Sequence, residues 1–546
     1  MIIISSETNN NECDILDGVA FHKSGVVCYN NGLEEFKKHG GSCSELIQGR
    51  FFIKYCDGDN TIIRTDEDGK ELVFYYSDGD FWCVSTSFLG MLWFLKEKGM
   101  HLTASKLELA KFFVNTSLFE QPYNHNLPIK EIKLLDAGSE INITKNSFEI
   151  KKIEARETFK SGRFFDLVSD FIKESRITIG GLVGNFDVDL ELSGGVDSRI
   201  VLGLALPYKD KIKVSSDKSG KGREDDYIIA KAMSYNYNIE LGDNKLKNYG
   251  SNDISSKWAL YKLGCIGVSR TNPRPNSASG TKFSKRVRLN GGGGENSRVF
   301  YNSNIQAYFN VINKTNLADE VKSKLIIDLT SALDFYGYKS SPQKAMVDIY
   351  SAYRQRYFSG RAWYYSLLGL VYAPMAGKSF SSIMTASDIE DVFGCDINQI
   401  LERNLILLFI LNALDPMLPF IRFDNDKKNF PLSDIRMIQE ISQDFKRHAG
   451  SNENNSNTYG EISDRVVLPC YLSELATYEK SDNDYMSMFD EDIAGVVDVL
   501  GGLNILSPEY LDTLKLGINN DSLDVKEKLP LLHIAEILKY SSNVCE

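Results

Sequence analysis

The stretch LELSGGVDSRIVLGLAL, residues 190–206, places a serine, two glycines and an aspartate where an extended pattern becomes helical. Gly194 and Gly195 carry no side chain, so their backbone N–H groups can approach an anion closely. The helix that we expect to follow points the positive end of its dipole at the same place. The stretch therefore predicts a strand–turn–helix unit that can hold a phosphate group.

The same turn contains an acidic side chain, Asp197, which would repel a phosphate at short range. A magnesium ion between the carboxylate and the phosphates removes this conflict, and Ser193 and Ser198 can donate hydroxyl hydrogen bonds. The alternative is an ordinary turn in which Ser193 only caps the helix. A Walker loop is excluded, because the pattern GxxxxGK[ST] is missing.

A second glycine cluster, LNGGGGENSRVFY, spans residues 289–301 and follows RVRLN, which we expect to be a strand. Four consecutive glycines weaken regular structure, so a close approach of the backbone to a ligand would explain them. A flexible linker with a solvated acid is the alternative. In the first case Glu295 supplies a second hard oxygen ligand for a metal ion.

The rest of the chain divides into three patterns. Residues 49–87 contain short apolar runs separated by DGD, DEDGK and SDGD, which predicts a β-meander. From about residue 159, strand patterns alternate with helical ones, which predicts a parallel sheet with crossover helices. Ligands of such sheets bind at the carboxyl ends of the strands, where both glycine clusters fall. From about residue 305 the pattern is mostly helical.

Three stretches give more specific expectations. YSLLGLVY, residues 365–372, is expected to be helical, and the polar stretch HAGSNENNSNTYGE, residues 448–461, to be a mobile loop. FDVDLEL, residues 186–192, alternates acidic with apolar residues, whereas a central strand of a parallel sheet should be continuously apolar. This alternation indicates an exposed or edge-like face.

Composition and charge exclude several classes of protein. The chain has 546 residues and a formal net charge of −12, so it lacks the basic field that attracts nucleic acid. Its longest apolar run, residues 405–411, is too short to cross a membrane, and we expect a soluble cytoplasmic protein. Nine dispersed cysteines without a CxxC pattern and six dispersed histidines predict neither a disulfide framework nor a transition-metal site.

The two glycine clusters resemble motifs of a known enzyme family. SGGVDSR is similar to the SGGxDS pyrophosphate loop of the N-type ATP pyrophosphatases, and NGGGGENSR resembles the second motif of the asparagine synthetase branch, approximately SGxGxDE. The resemblance implies that the protein binds ATP and Mg²⁺, with Asp197 and Glu295 as magnesium ligands. Pyrophosphate would be held by Ser193, Gly194, Gly195 and Ser198, and adenosine by Leu192, Val214 or Ser215, Asn290 and Gly291.

The resemblance also implies a two-domain α/β architecture. Residues 1–155 would form a β-rich, amidotransferase-like sandwich of the Ntn type, and residues 156–546 a parallel-sheet, adenine nucleotide hydrolase-like synthetase domain with a helical part from about residue 305. The family's glutaminase uses a cysteine at the processed amino terminus, but here Ile2 follows Met1 and the first cysteine is Cys13. We therefore expect no glutamine hydrolysis. β-Lactam synthetases and lasso-peptide cyclases are relatives that likewise lack this cysteine.

By the same resemblance, the protein would be an AMP-forming ligase that joins the carboxylate of a small molecule or peptide to an amine donor. Arg298 would neutralise charge that develops in the reaction, with a structural ion pair as the alternative. Arg354, Arg356 and Arg361 are candidates for a phosphate or carboxylate clamp, although solvated surface arginines are the better default. A non-catalytic nucleotide-binding scaffold stays open, as does a sulfur-transfer adenylase, which usually needs paired cysteines and a basic face.

Overall fold

The computed structural model describes residues 1–8, 14–22, 25–79, 81–145, 147–153, 162–216, 223–243, 262–269, 286–362, 370–424, 429–446, 457–459, 493, 495–520 and 522–545. The fold is mixed α/β, with antiparallel sheets in the amino-terminal part and a parallel sheet after them. The strands are β1 (Ile3–Ser5), β2 (Ile15–His22), β3 (Gly25–Cys28), β4 (Gln48–Asp57), β5 (Asn60–Thr65), β6 (Phe74–Asp78), β7 (Phe81–Ser85), β8 (Thr103–Ser105), β9 (Lys133–Leu134), β10 (Ser139–Ile143), β11 (Phe148–Lys152), β12 (Asp187–Glu191), β13 (Ile212–Ser216), β14 (Leu241–Asp243), β15 (Arg286–Leu289), β16 (Leu370–Tyr372), β17 (Asn457–Tyr459) and β18 (Asn543–Cys545).

Helices connect and cover these strands. The α-helices span Tyr29–Lys38, Phe88–Glu97, Lys106–Ala110, Phe164–Asn185, Val196–Ala205, Glu224–Asn236, Ile305–Asn313, Asp319–Phe335, Pro342–Ile349, Lys378–Ser381, Ile389–Phe393, Ile397–Glu402, Leu405–Leu414, Leu432–Lys446, Val496–Gly502, Pro508–Asn519 and Val525–Leu538. A π-helix covers Tyr350–Ala362. Within the described residues, none of these helices combines the length and the apolar character that crossing a membrane requires.

The amino-terminal part contains two larger sheets that contribute side chains to one buried apolar cluster. One sheet has the strand order β1-β7-β6-β9, and the other has the order β11-β10-β5-β4-β2-β3-β17. A buried apolar cluster contains side chains of both sheets, including Phe52, Ile63, Val84 and Ile141. The prediction of one meander over residues 49–87 is wrong, because β4 and β5 belong to one sheet whereas β6 and β7 belong to the other.

The chain changes sheet in the segment DEDGKELV, residues 66–73. The buried carboxylate of Asp66 accepts backbone N–H groups of Asp68, Lys70 and Glu71, at 3.2, 3.1 and 3.1 Å. Gly69 has a φ of +64°, which favours glycine. The side chain of Asp66 therefore organises a compact turn that carries the chain from β5 to β6 instead of a tight hairpin between them.

The parallel sheet has the strand order β14-β13-β12-β15-β16, so β12 lies at its centre. The edge-like alternative for FDVDLEL is therefore wrong, whereas the exposed alternative holds at the start of the strand, where Asp187 is exposed. Two of the three acidic side chains of β12 pair with basic ones on its neighbours: Asp187 with Lys213 of β13 at 3.8 Å, and Glu191 with Arg288 of β15 at 3.3 Å. The intervening apolar side chains belong to the buried core. The acids at the two ends of β12 thus face basic side chains of neighbouring strands.

Two short strands replace elements that the sequence predicts differently. Leu370–Tyr372 forms β16 beside β15, so the predicted helix over residues 365–372 is wrong there, and residues 365–369 lie outside the described chain. Asn457–Tyr459 forms β17, which pairs in parallel with β3. The loop predicted over residues 448–461 is therefore wrong for these three residues. The other residues of that stretch lie outside the described chain. Short apolar runs do not distinguish strands from helices, which explains the first error.

The largest buried apolar cluster draws on widely separated parts of the chain. It joins Phe88 of the amino-terminal part with Tyr301 and Leu532 of the later, mostly helical part. A second cluster lies against the parallel sheet. The predicted domain boundary near residue 155 falls within residues 154–161, outside the described chain, and the division into domains stays a prediction.

Candidate functional site

The turn at 192–195 has the geometry that the sequence predicts. β12 ends at Glu191, and helix Val196–Ala205 begins after Gly195. The hydroxyl groups of Ser193 and Ser198 lie 3.0 Å apart, and the N–H of Ser193 donates to Ser198 Oγ at 3.1 Å. Gly195, not Ser193, precedes the helix, so the alternative in which Ser193 serves only as a helix cap is wrong.

Gly194 lies between two acidic side chains. Its N–H donates to Asp226 Oδ1 at 2.7 Å, and Asp226 belongs to the first turn of helix Glu224–Asn236. A Cβ atom at position 194 would come within 3.0 Å of Asp226 Oδ1 and of Asp424 Cβ, so only glycine fits. The carboxylate of Asp226 therefore binds an N–H group of the kind that would bind a phosphate oxygen.

The second glycine cluster packs directly on the first turn. A Cβ atom at Gly291 would come within 3.0 Å of the backbone and Cβ of Asp197, and one at Gly294 would come within 3.0 Å of Asp197 Oδ1. Gly293 has a φ of +98°. The linker alternative is therefore wrong, because these glycines allow a close approach to Asp197.

The two predicted metal ligands meet on one guanidinium group. Arg298 donates from Nη1 to Asp197 Oδ1 at 2.9 Å and from Nη2 to Asp197 Oδ2 at 2.6 Å, and Nη2 also reaches Glu295 Oε1 at 3.2 Å. Burial acts to lower the pKa of Arg298, but the charges of Asp197 and Glu295 outweigh burial and raise it. The predicted ion pair of Arg298 is therefore present, and its predicted role in the reaction stays a prediction.

Glu295 is held from its other side by groups that the sequence does not single out. Its Oε2 accepts the hydroxyl of Tyr350 at 3.1 Å and the N–H of Gly293 at 3.2 Å. Burial and the charge of Glu295 raise the pKa of Tyr350, so this phenol stays a donor. Asn296 accepts a hydrogen bond from Ser351 at 2.7 Å and donates to the carbonyl of Met375 at 3.0 Å. These contacts fix Glu295 in one orientation.

Arg354 and Arg356 join the π-helix to the amino-terminal part. Arg354 is buried and reaches Glu120 at 2.5 Å and Gln121 at 3.1 Å. Arg356 is buried and donates to the carbonyl groups of Gly69 and Leu135, at 3.0 and 2.8 Å. Neither is a surface arginine, and both bind the π-helix to the amino-terminal part. Arg361 lies in the same helix, and its side chain lies outside the described part of the structure.

Arg199 is the site residue that sequence reasoning missed. Its side chain is buried, donates to the carbonyl of Gly194 at 3.0 Å and to that of Ile421 at 2.5 Å, and also reaches the carbonyl of Arg422. The guanidinium lies 3.7 Å from the ring centroid of Phe423. Burial lowers its pKa to about 10, although Asp424 opposes the shift. Arg199 thus fixes the glycine turn against residues 418–423.

We expect Arg199→Lys to lower the free energy of unfolding by about 3 kcal/mol, because one ammonium group cannot reach the same carbonyl groups or stack on Phe423. Denaturant titration measures this change. Arg163→Lys is the matched control, since Arg163 is exposed and pairs with Asp388 at 3.1 Å. Equal stability of the two variants would show that the guanidinium group of Arg199 does not stabilise the turn.

The residues predicted to contact adenosine lie at or near the carboxyl edge of the sheet. The side chains of Leu192 and Val214 are buried in the apolar core. The N–H of Leu192 bonds to the carbonyl of Ser215 at 2.8 Å, and the side chain of Asn290 accepts the N–H of Gly292 at 2.6 Å. The adenosine contact stays a prediction.

The described residues contain no group of three or more His, Cys, Asp or Glu side chains that could hold a metal ion. A cation at Asp197 and Glu295 would therefore need further oxygen ligands from a phosphate group or water, as magnesium commonly has. The sequence matches no protein-family model, and no curated protein matches it at a significant level.

Proposed function

We propose that this protein is an ATP-dependent ligase that adenylates a substrate carboxylate and transfers the acyl group to an amine. The observation that carries the proposal is the meeting of Asp197 and Glu295 on one cationic group. These acids follow β12 and β15, which are adjacent parallel strands. Paired carboxylates beside a glycine turn at this edge suit a magnesium–triphosphate group.

The donor set fits magnesium in number and kind. Magnesium is commonly bound by one or two carboxylates together with phosphate oxygens, and both carboxylates here are hard oxygen ligands. Gly294 lets the carboxylate of Asp197 lie against the second loop, because a Cβ atom there would come within 3.0 Å of Asp197 Oδ1. When bound, the ion would supply charge stabilisation for the departing pyrophosphate.

In the proposed first step, a carboxylate oxygen of the substrate attacks the α-phosphorus of ATP. The bond from this phosphorus to the bridging oxygen breaks, and pyrophosphate leaves with the electron pair. The N–H groups of Gly194 and Gly195 and the hydroxyls of Ser193 and Ser198 would bind the pyrophosphate oxygens. Binding Gly194 requires that Asp226 release this N–H group.

In the proposed second step, an amine attacks the acyl carbon, AMP leaves with the electron pair of the broken C–O bond, and the amine gives up a proton to solvent. The amine would be free ammonia, an amine on a second molecule, or an amine within the carboxylate substrate, which would then cyclise. The amidotransferase-like character of the amino-terminal part belongs to the same proposal. The two sheets that share a buried apolar cluster support it.

One observation favours a second candidate function, a non-catalytic nucleotide-binding scaffold. Arg298 already neutralises both acids within the chain. If this ion pair were permanent, nucleotide could bind at the glycine turn without a metal ion and without turnover.

We expect AMP and pyrophosphate, not ADP, when the protein is incubated with Mg²⁺, α-labelled ATP and the correct carboxylate, because the turn and both acids would receive the β- and γ-phosphates as leaving group. Pools of amino acids, sugar acids and peptides from a cell extract supply candidate substrates. The same pools after methyl esterification, which blocks their carboxylates, are the control. ADP alone would contradict the mechanism, whereas nucleotide binding without turnover in every pool would favour the scaffold.

A further inference from the structure

We propose that Arg298 is an internal latch: it occupies the cation position between Asp197 and Glu295 in the free protein and leaves it when metal–ATP binds. The inference rests on the proposed metal–nucleotide site. It adds a regulation of that site, namely that a metal ion and ATP enter together because neither alone displaces the guanidinium efficiently.

The first argument is that the guanidinium and a metal ion need the same space. Nη2 of Arg298 is the atom that bridges the acids, 2.6 Å from Asp197 Oδ2 and 3.2 Å from Glu295 Oε1. A magnesium ion held by these two carboxylates would need the same oxygen atoms that Nη2 contacts. The two cations therefore exclude each other.

The second argument identifies which group moves. Glu295 is held by Tyr350 and by the N–H of Gly293, and Gly294 packs against Asp197. Arg298, in contrast, follows the short 3₁₀ helix Gly294–Ser297 in an extended conformation, and the hydrogen bonds that its side chain makes within the described residues go to these two acids. The two acids are therefore held in place by other contacts, and the side chain of Arg298 is the group that can move away from them.

The third argument concerns where Arg298 goes. A guanidinium that leaves two carboxylates needs new acceptors, and a metal ion alone provides none. The phosphate groups of ATP provide oxygens that suit the planar fork of arginine. Metal–ATP thus replaces both partners at once, which makes binding of the metal ion and of the nucleotide cooperative.

The test measures Mn²⁺ binding in the absence of nucleotide, by the loss of its free electron paramagnetic resonance signal. We expect Arg298→Gln to bind Mn²⁺ on the order of tenfold more tightly than the unchanged protein, because the competing charge-assisted hydrogen bonds are gone. Arg403→Gln is the matched control: it makes the same charge change and breaks an ion pair to Asp434 at 2.7 Å. This control should leave Mn²⁺ affinity unchanged.

A second variant separates the latch from the metal site itself. Asp197→Asn combined with Arg298→Gln should lose the gained Mn²⁺ affinity. If Arg298→Gln and the unchanged protein bind Mn²⁺ equally while Asp197→Asn binds it poorly, the latch is wrong and the proposed metal site stands. If Mn²⁺ binds none of these proteins, or binds all of them equally, both the latch and the metal site are wrong.

Thermal unfolding gives a readout that is independent of turnover. Without metal, Arg298→Gln should unfold at a lower temperature than the unchanged protein, because Asp197 and Glu295 then face each other without a cation. Added Mn²⁺ should raise the unfolding temperature of this variant more than that of the unchanged protein. An equal rise in both proteins would overturn the latch.

Discussion

Asp197→Asn should lower carboxylate-dependent AMP formation by about 10³-fold, the loss that removal of one charged group from a preorganised electrostatic site can produce. The amide keeps the shape of the side chain but removes the charge that a metal ion requires. In this variant Arg298 keeps its ion pair with Glu295 but no longer faces a charged side chain at position 197. Quantification of AMP from α-labelled ATP measures the loss.

Asp187→Asn is the matched control for this prediction. It makes the same chemical change on β12, the strand that precedes the helix of Asp197, but Asp187 is exposed and pairs with Lys213 at 3.8 Å. We expect its AMP formation to equal that of the unchanged protein. An Asp197→Asn protein that is folded and forms AMP at the control rate would remove Asp197 from the mechanism. Circular dichroism of both variants establishes that they are folded.

The turn and its strand are predictable because their signals are local. SGG followed by an amphipathic stretch marks the point where β12 ends and helix Val196–Ala205 begins. The surroundings of the acidic side chains of β12 are not predictable from local sequence. Asp187 and Glu191 contact Lys213 and Arg288, which lie on neighbouring strands, and the sequence does not show the register between strands.

The sequence predicts the two acids of the candidate site, but it does not predict the side chains that bind them. Asp197 and Arg298 are 101 positions apart, and only the folded sheet brings their loops together. Tyr350 carries no sequence signal that points to Glu295. Arg199 does carry one: a charged residue at the start of the continuous apolar run IVLGLAL is unusual, because arginine is rarely buried without partners. Its partners, the carbonyl groups of 418–422, are far away in sequence and could not be named.

Gly293→Ala is expected to lower the free energy of unfolding by about 4 kcal/mol, from a strained positive φ together with a steric clash. A Cβ atom there would come within 3.0 Å of backbone atoms of Met375 and Ala376, which cannot move aside like a flexible side chain. The N–H of Gly293 also binds Glu295, so displacement of this loop should reduce AMP formation as well. Denaturant titration measures the change in stability.

Gly394→Ala separates the two causes of this loss. Gly394 also has a positive φ, +65°, but a Cβ atom there would meet no described atom within 4 Å. It should therefore show only the conformational cost, about 1 kcal/mol. If the two variants lose equal stability, the close packing of Gly293 on residues 375–376 does not stabilise the loop. A Gly293→Ala protein that is far less stable than Gly394→Ala would instead show that the second loop is fixed by this backbone contact, which the proposed site requires to hold Glu295 beside Asp197.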